Sequence, residues 1–162
     1  MYSKILLAID GSDSSRRALD EACRVAVLSG ARVHAVYVVD KWGLSPYAGY
    51  YDPEALGRVL HADGHGILQS AREVLTEQGV ECDMEIDDTH DRSDDVAHCL
   101  QRCAQRQGAE LVVMGTHGRH GLRKAILGSV AERLLHMARC PVLLVRSDAS
   151  SDTGTVKRKT AA

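Results

Sequence analysis

The chain has 162 residues and a mass of 17.6 kDa, the size of one ordinary domain. Its 20 Lys and Arg against 22 Asp and Glu leave a formal charge of −2 at pH 7, so no global field attracts nucleic acid or an anionic membrane. Phe is absent and 44% of the residues are hydrophobic, so small aliphatic side chains must fill most of the core. Such side chains suit helices packed on a parallel sheet.

The five cysteines form no C-x-x-C pair, and the apolar run near the N-terminus, Ile5–Ile9, is short for a signal peptide. The longest apolar runs also fall short of the ~20 residues that cross a bilayer. We therefore expect a cytoplasmic protein with reduced thiols that neither inserts into a membrane nor binds nucleic acid.

Five short apolar runs indicate strands, and the continuous ones are typical of strands buried on both faces. In chain order they are Ile5–Ile9, Val33–Val39, Val80–Ile86, Leu111–Met114 and Val142–Val145. Between the second strand and the following helix, residues 41–52 contain Gly, Pro, Tyr and the single Trp, and are predicted to form a long loop.

Apolar residues at helical spacing predict a helix after each of the first four strands. These helices are Asp13–Leu28, 52–78 with a break near Gly64, Ser93–Gln107, and a helix from Gly128 to about Ala138. Because strands alternate with helices and crossovers are right-handed, we expect an α/β fold, a five-stranded parallel doubly wound sheet with helices on both faces.

Ligands of such sheets bind beyond the carboxyl ends of the strands, where the winding direction reverses. The loop after the fourth strand, Gly115–Gly128, is rich in Gly and contains Arg119, Arg123 and Lys124 but no Asp or Glu. Glycines let backbone N–H groups approach an anion closely, and the helix that follows adds its positive dipole end. The loop and the helix start together predict a phosphate site.

Ser129 has two interpretations at this stage. Its position at the start of the helix allows its hydroxyl to contact a bound phosphate. However, Ser129 and Glu132 also have the spacing of a capping box, which would satisfy the first N–H groups of the helix internally.

Two familiar nucleotide motifs are absent. No G-x-G-x-x-G follows the first strand, and no G-x-x-x-x-G-K-S/T occurs anywhere in the chain, which argues against a dinucleotide-dependent dehydrogenase and a P-loop enzyme. The spacing here is G-x2-G-x9-G-S, formed by Gly115, Gly118, Gly128 and Ser129. With this motif after its fourth strand, the sequence resembles the ATP-binding branch of the universal stress protein family over residues 3–146.

The resemblance implies a Rossmann-like fold of the adenine nucleotide alpha hydrolase-like type and an ATP or AMP bound between the first and fourth strands. The residues implied in nucleotide binding are Ala8, Asp10, Ser12, Val39, Gly115, Thr116, His117, Gly118, Arg119, Gly121, Gly128, Ser129, Val130 and Ala131. From its chemistry alone, the Asp10 carboxylate suits ribose hydroxyls or a nucleotide-bound Mg²⁺ or Mn²⁺, or else the start of the first helix.

The resemblance also implies a homodimer that pairs through the edge of the last strand, with the contact formed by Val142, Leu143, Leu144 and Val145. We expect residues 1–146 to form the universal stress protein domain and residues 147–162 a disordered polar and basic tail. The implied role is a stress-response regulator that acts on a further protein according to the bound nucleotide.

Two other functions remain open. The first is a slow ATPase or nucleotidyl transferase at the same site, suggested by His117, Arg119 and His120 near the phosphates. The second is a dimeric interaction module that binds no nucleotide. In the latter case the acidic turn 87–92, which departs from the family pattern, would have altered the wall of the base pocket.

Two further pairs of side chains have weaker interpretations. His61 and His65 have the i, i+4 spacing of zinc ligands but lack a third partner in the sequence, so two exposed histidines are expected. Cys99 and Cys103 share one face of the predicted third helix, where packing is expected rather than redox chemistry.

Overall fold

The computed structural model describes residues 1–41, 52–91, 93–118 and 127–147. The strands are Lys4–Ala8 (β1), Arg32–Val39 (β2), Cys82–Asp88 (β3), Leu111–Gly115 (β4) and Val142–Val145 (β5). The helices are Asp13–Ser29 (α1), Pro53–Glu77 (α2), Val96–Gln107 (α3) and Ser129–Met137 (α4). Most of the predicted loop 41–52 and all but the first residue of the predicted tail 147–162 lie outside the described residues.

The strands form one parallel sheet with the order β3-β2-β1-β4-β5. Helices α1 and α2 pack on one face, and α3 and α4 pack on the other. The winding direction therefore reverses between β1 and β4, which confirms the predicted fold class. None of the helices in the described ranges is long and apolar enough to cross a membrane.

The central strands explain why the apolar runs are continuous. On β1, Ile5 and Leu7 belong to the core under α1 and α2, whereas Leu6 belongs to the core under α3 and α4. All three side chains are at most 1% exposed. Since both faces of the sheet are covered, neither side of the strand tolerates polar residues.

Two predicted boundaries are wrong by a few residues. The third strand begins at Cys82, not at Val80, because the Val80 N–H still donates to Leu75 O at the end of α2. Helix α3 begins at Val96, not at Ser93, because Asp95 is its N-cap and accepts from His98 N at 2.9 Å. Short polar side chains compete with the helix for backbone N–H groups, which places them at caps.

The predicted break near Gly64 is also wrong, since α2 continues through it without interruption. Gly64 is buried against the ring of Tyr37 on β2, and a Cβ at this position would lie 2.6 Å from Tyr37 Cδ1. The glycine therefore permits close contact between helix and sheet rather than interrupting the helix.

Replacing Gly64 and Gly66 by Ala separates these two effects of glycine. Gly66→Ala should raise the free energy of unfolding by up to ~1 kcal/mol, because it improves helix propensity and its Cβ meets no atom within 4 Å. Gly64→Ala should lower it by ~1–3 kcal/mol, because the buried Tyr37 ring must move. Urea denaturation of both variants measures the difference. If Gly64→Ala and Gly66→Ala raised the free energy of unfolding equally, the predicted destabilisation from moving the Tyr37 ring would be wrong.

Candidate functional site

A cavity of about 560 Å³ opens at the carboxyl ends of β1, β2 and β4, at the point where the winding direction reverses. Eleven of the fourteen predicted site residues line it, namely Ala8, Asp10, Val39, Gly115, Thr116, His117, Gly118, Gly128, Ser129, Val130 and Ala131. The volume lies in the range of ~300–1,000 Å³ that small-molecule sites occupy. The chain thus brings widely separated segments of the predicted site, from β1, β2 and the region around β4 and α4, into one cavity.

Of the other three predicted residues, only Ser12 lies in the described ranges, and it does not line the cavity. Ser12 lies beside it and contacts two of its residues, as described below. Arg119 and Gly121 are outside the described residues, and so is His120.

The turn after β1 holds Asp10 at the mouth of the cavity. Asp10 Oδ1 accepts from Ser12 N at 2.9 Å and from Ser12 Oγ at 2.6 Å. Gly11 has a φ of +81°, a conformation that suits glycine and lets the turn close tightly. Ser12 is also the N-cap of α1, where its Oγ accepts from Ser15 N at 3.3 Å. The carboxylate of Asp10 is therefore fixed by the same residue that starts the helix.

This turn is hydrogen-bonded to the loop after β4. The carbonyl oxygen of His117 accepts from Ser14 Oγ and lies 3.3 Å from Ser12 Oγ. A Cβ on Gly115 would lie 2.9 Å from the backbone carbon of Ser14, so only glycine permits this approach. The end of β4 is thereby attached to the first turn of α1.

The loop after β4 is closed at its base by backbone hydrogen bonds. Gly128 N donates to Thr116 O at 2.9 Å, and Thr116 N donates to Val145 O at 2.9 Å. A Cβ on Gly128 would lie 2.9 Å from Thr116 O, so a larger residue would disturb this closure. The closure places the start of α4 next to the end of β4.

The start of α4 carries no side-chain cap, so of the two interpretations of Ser129 the capping box is wrong. The N-cap is Gly128, whose carbonyl accepts from Glu132 N at 2.9 Å, and Ser129 is the exposed first residue of the helix. A glycine has no side-chain oxygen to accept from the other N–H groups of the first turn. Ser129, Val130 and Ala131 line the cavity at this helix end. Unpaired N–H groups and the helix dipole make such an end attractive to an anion.

His117 presents a buried ring nitrogen to this region. Its Nδ1 lies 2.9 Å from Thr116 Oγ1. Its Nε2 is buried, and no hydrogen-bond partner is found for it in the described part of the chain. A buried polar nitrogen without a partner is costly, so a bound ligand is one means of satisfying it.

The sequence analysis missed several lining residues on β2 and α3. Val38 and Leu100 form part of an apolar wall, and Asp40 stands directly after β2. Asp40 had a signal in the sequence, because it follows a buried strand as Asp10 follows β1. The apolar lining residues had no such signal in the sequence, because the residue types that line an apolar cavity wall are the same as those that fill the core.

The predicted acidic turn 87–92 begins later than expected, because Asp87 and Asp88 belong to β3. None of the described residues of this segment, 87–91, lines the cavity. Asp88 pairs with Lys41 at 2.9 Å and with His61 at 3.0 Å. Burial alone would raise the pKa of Asp88, but these two hydrogen bonds outweigh it and hold the pKa below its ordinary value. Thr89 N donates to Val39 O at 3.1 Å, so the turn fixes the end of β2.

The structure also bears on the two weaker candidates. Neither His61 nor His65 belongs to a group of three ligand atoms in the described ranges. Cys99 and Cys103 are buried, free thiols, and burial raises the pKa of each to about 12. Such thiols are protonated at neutral pH, which agrees with the predicted packing role.

The sheet order and the glycine-lined cavity at the reversal point define a Rossmann-like α/β protein with a cavity at the switch of the sheet. The chain belongs to the universal stress protein family, because a sequence model of that family matches residues 1–146.

Relatives and solved structures agree with this assignment. The chain is 36% identical over 149 residues to universal stress protein MJ0531 of Methanocaldococcus jannaschii, covering 90% of this chain and 83% of that one. A universal stress protein family member from Burkholderia pseudomallei has a TM-score of 0.71 at 38% identity, covering 89% and 96% of the two chains. The universal stress protein of Archaeoglobus fulgidus solved in complex with dAMP has a TM-score of 0.63 at 23% identity, covering 89% and 98%.

Proposed function

We propose that this universal stress protein binds ATP or AMP in the cavity between β1 and β4 and acts as a cytoplasmic, nucleotide-dependent regulator of another protein. The observation that carries the proposal is the start of α4, where Gly128 leaves the first-turn N–H groups without a side-chain cap beside the cavity. Backbone donors of this kind recognise phosphate without needing cationic side chains.

The phosphates fit this end of the cavity. Ser129, Val130 and Ala131 would hold the outer phosphates through backbone N–H groups and the Ser129 hydroxyl. The absence of a Cβ atom at Gly118 would allow the chain to follow the ribose and the inner phosphate closely. Arg119 and Gly121 complete the proposed binding loop.

The base and the ribose fit the opposite end of the cavity. Ala8, Val38 and Val39 provide apolar contacts for an adenine ring beside the carboxyl ends of β1 and β2. Asp10 and Asp40 add carboxylates that accept from ribose hydroxyls or hold a Mg²⁺ or Mn²⁺ ion brought with the nucleotide. The relative from Archaeoglobus fulgidus that was solved with dAMP supports an adenine nucleotide over other anions.

Nucleotide released from the purified protein tests this proposal. The protein is purified without added nucleotide, denatured, and the released ligand is identified by mass and absorbance. We expect ATP or AMP from the wild-type chain and none from Gly118→Asp, whose new carboxylate would stand in the cavity beside Asp10. Repulsion of the phosphates should weaken binding ~10-fold or more.

Gly66→Asp is the matched control, because it adds the same charge on an open part of α2. It should retain the nucleotide. If the wild-type chain carries no nucleotide and also fails to bind Mg-ATP in calorimetry, the proposal is wrong and the dimeric interaction module becomes the better hypothesis.

Slow ATP hydrolysis or nucleotidyl transfer at the same site is a second candidate, favoured by the pairing of Thr116 Oγ1 with His117 in the cavity wall. Phosphate release from Mg-ATP measures hydrolysis. We expect turnover well below the ~1 s⁻¹ typical of slow enzymes, since P-loop residues are absent. The protein is an enzyme if it turns over Mg-ATP and His117→Gln abolishes that turnover while nucleotide binding persists. Undetectable turnover would favour the regulator hypothesis.

We further propose that residues 1–146 form the domain and that it dimerises through the β5 edge. Among the described residues β5 pairs only with β4, and its four residues, Val142–Val145, are half-buried. An unprotected apolar edge strand tends to recruit another chain.

Analytical ultracentrifugation tests the dimer. The wild-type chain should sediment as a dimer and Val142→Lys as a monomer, because a charge on the edge opposes strand pairing. Leu135→Lys, which adds the same charge at an exposed apolar residue of α4, should remain a dimer. Circular dichroism confirms that each variant is folded. A dimeric Val142→Lys would place the interface elsewhere.

A further inference from the structure

A second group of polar side chains lies on the sheet face that α3 covers, away from the residues that line the cavity. It combines His34 of β2, Glu85 of β3 and Cys103 of α3. His34 Nε2 and Glu85 Oε2 are 2.7 Å apart, and Cys103 Sγ lies 3.7 Å from the same oxygen. One ligand atom from each of the three residues lies within 4.8 Å of the other two. We call this group the 34-85-103 cluster.

We propose that the 34-85-103 cluster is a zinc site. Imidazole nitrogen, carboxylate oxygen and thiolate sulfur are the three donor types that bind Zn²⁺ in proteins. Around a tetrahedral Zn²⁺ these atoms would stand about 3.3–3.6 Å apart, given zinc–ligand bonds of ~2.0–2.3 Å. The two separations from Glu85 Oε2 bracket those values, and the third is at most 4.8 Å, so modest side-chain movements would complete the site. Water would occupy the fourth position.

The charges within the cluster also suit a divalent cation. A thiolate at Cys103 and the carboxylate of Glu85 together neutralise Zn²⁺, while His34 binds as a neutral imidazole. On binding, the Cys103 thiol loses its proton to the solvent as the sulfur–zinc bond forms. The burial of Cys103 favours a site with balanced charge over an isolated thiolate.

Arg106 contacts the cluster without occupying the same oxygen. Its guanidinium donates to Glu85 Oε1, whereas His34 and Cys103 face Oε2. A second hydrogen bond of this kind orients a ligating carboxylate, as is common around metal ions. The Arg106 side chain is 50% exposed, so solvent screens its charge.

The position of the cluster gives the metal a structural role. Its ligands join β2, the edge strand β3 and α3, which are distant in sequence. Val36 is the next residue on the same face of β2, and Leu100 lies about one turn before Cys103 on α3; both line the cavity. A bound Zn²⁺ would therefore stabilise the folded state and hold the two elements that form one wall of the cavity.

Metal binding by the untagged full-length chain, freed of metal with a chelator, tests the proposal. Cobalt(II) added alone should produce the near-ultraviolet absorption of a thiolate-bound cobalt ion, and Zn²⁺ should abolish it by displacement. Calorimetry with Zn²⁺ alone should give one equivalent per chain. Cys103→Ser and His34→Gln should each weaken binding ~100-fold, in line with the loss of a ligand.

Two control variants match these substitutions. Cys99→Ser changes a buried thiol one turn earlier in α3, and His61→Gln removes a similar histidine–carboxylate pair, with Asp88. Both should bind Zn²⁺ as the wild-type chain does. If Cys103→Ser fails to fold, His34→Gln at its half-buried position still decides the question. Absence of Zn²⁺ binding by the wild-type chain, or equal binding by all four variants, would overturn the proposal.

Discussion

The close approach of α1 to the end of β4 is the constraint on which the candidate site depends. The approach is possible because Gly115 has no Cβ where the backbone of Ser14 passes. It is maintained by the hydroxyl of Ser14, which donates to the carbonyl of His117, with Ser12 Oγ 3.3 Å from the same oxygen. Because this contact links the turn after β1 to the loop after β4, it also fixes Asp10 beside Gly118 and so defines the mouth of the cavity.

The burial of the sheet on both faces explains why a cavity exists here at all. A parallel sheet needs helices on each side, so the connections after β1 and β4 leave it in opposite directions. The space between those connections is covered by neither layer of helices. In this chain Gly128 and Thr116 close the base of the β4 loop without filling that space, so backbone donors remain at its edge.

The sequence predicted the architecture because composition determines burial. In a chain of this length the continuous apolar runs at β1 and β4 indicate strands buried on both faces of a sheet, and the structure has both strands. Glycine is harder to interpret from sequence, because it can weaken a helix or, by lacking a Cβ, allow another element to pack closely against it. Gly64 has the sequence signal of a helix break, but in the structure it permits contact between α2 and Tyr37. Likewise, Ser129 has the spacing of a cap, but Gly128 is the N-cap, which only the backbone reveals.

Two regions lie on the sheet face under α3, namely part of the cavity wall and the 34-85-103 cluster. Both lie where α3 no longer covers the sheet. On β2, His34, Val36 and Val38 share this face; the two valines line the cavity, and the histidine lies beyond them. Helix α3 packs over β2 but leaves Glu85 on β3 25% exposed. A carboxylate that remains partly solvated costs little, so the fold can place it beside His34 and Cys103. The cavity and the 34-85-103 cluster therefore both lie where the helical layer ends, the cavity at the reversal of the sheet and the cluster at its β3 edge.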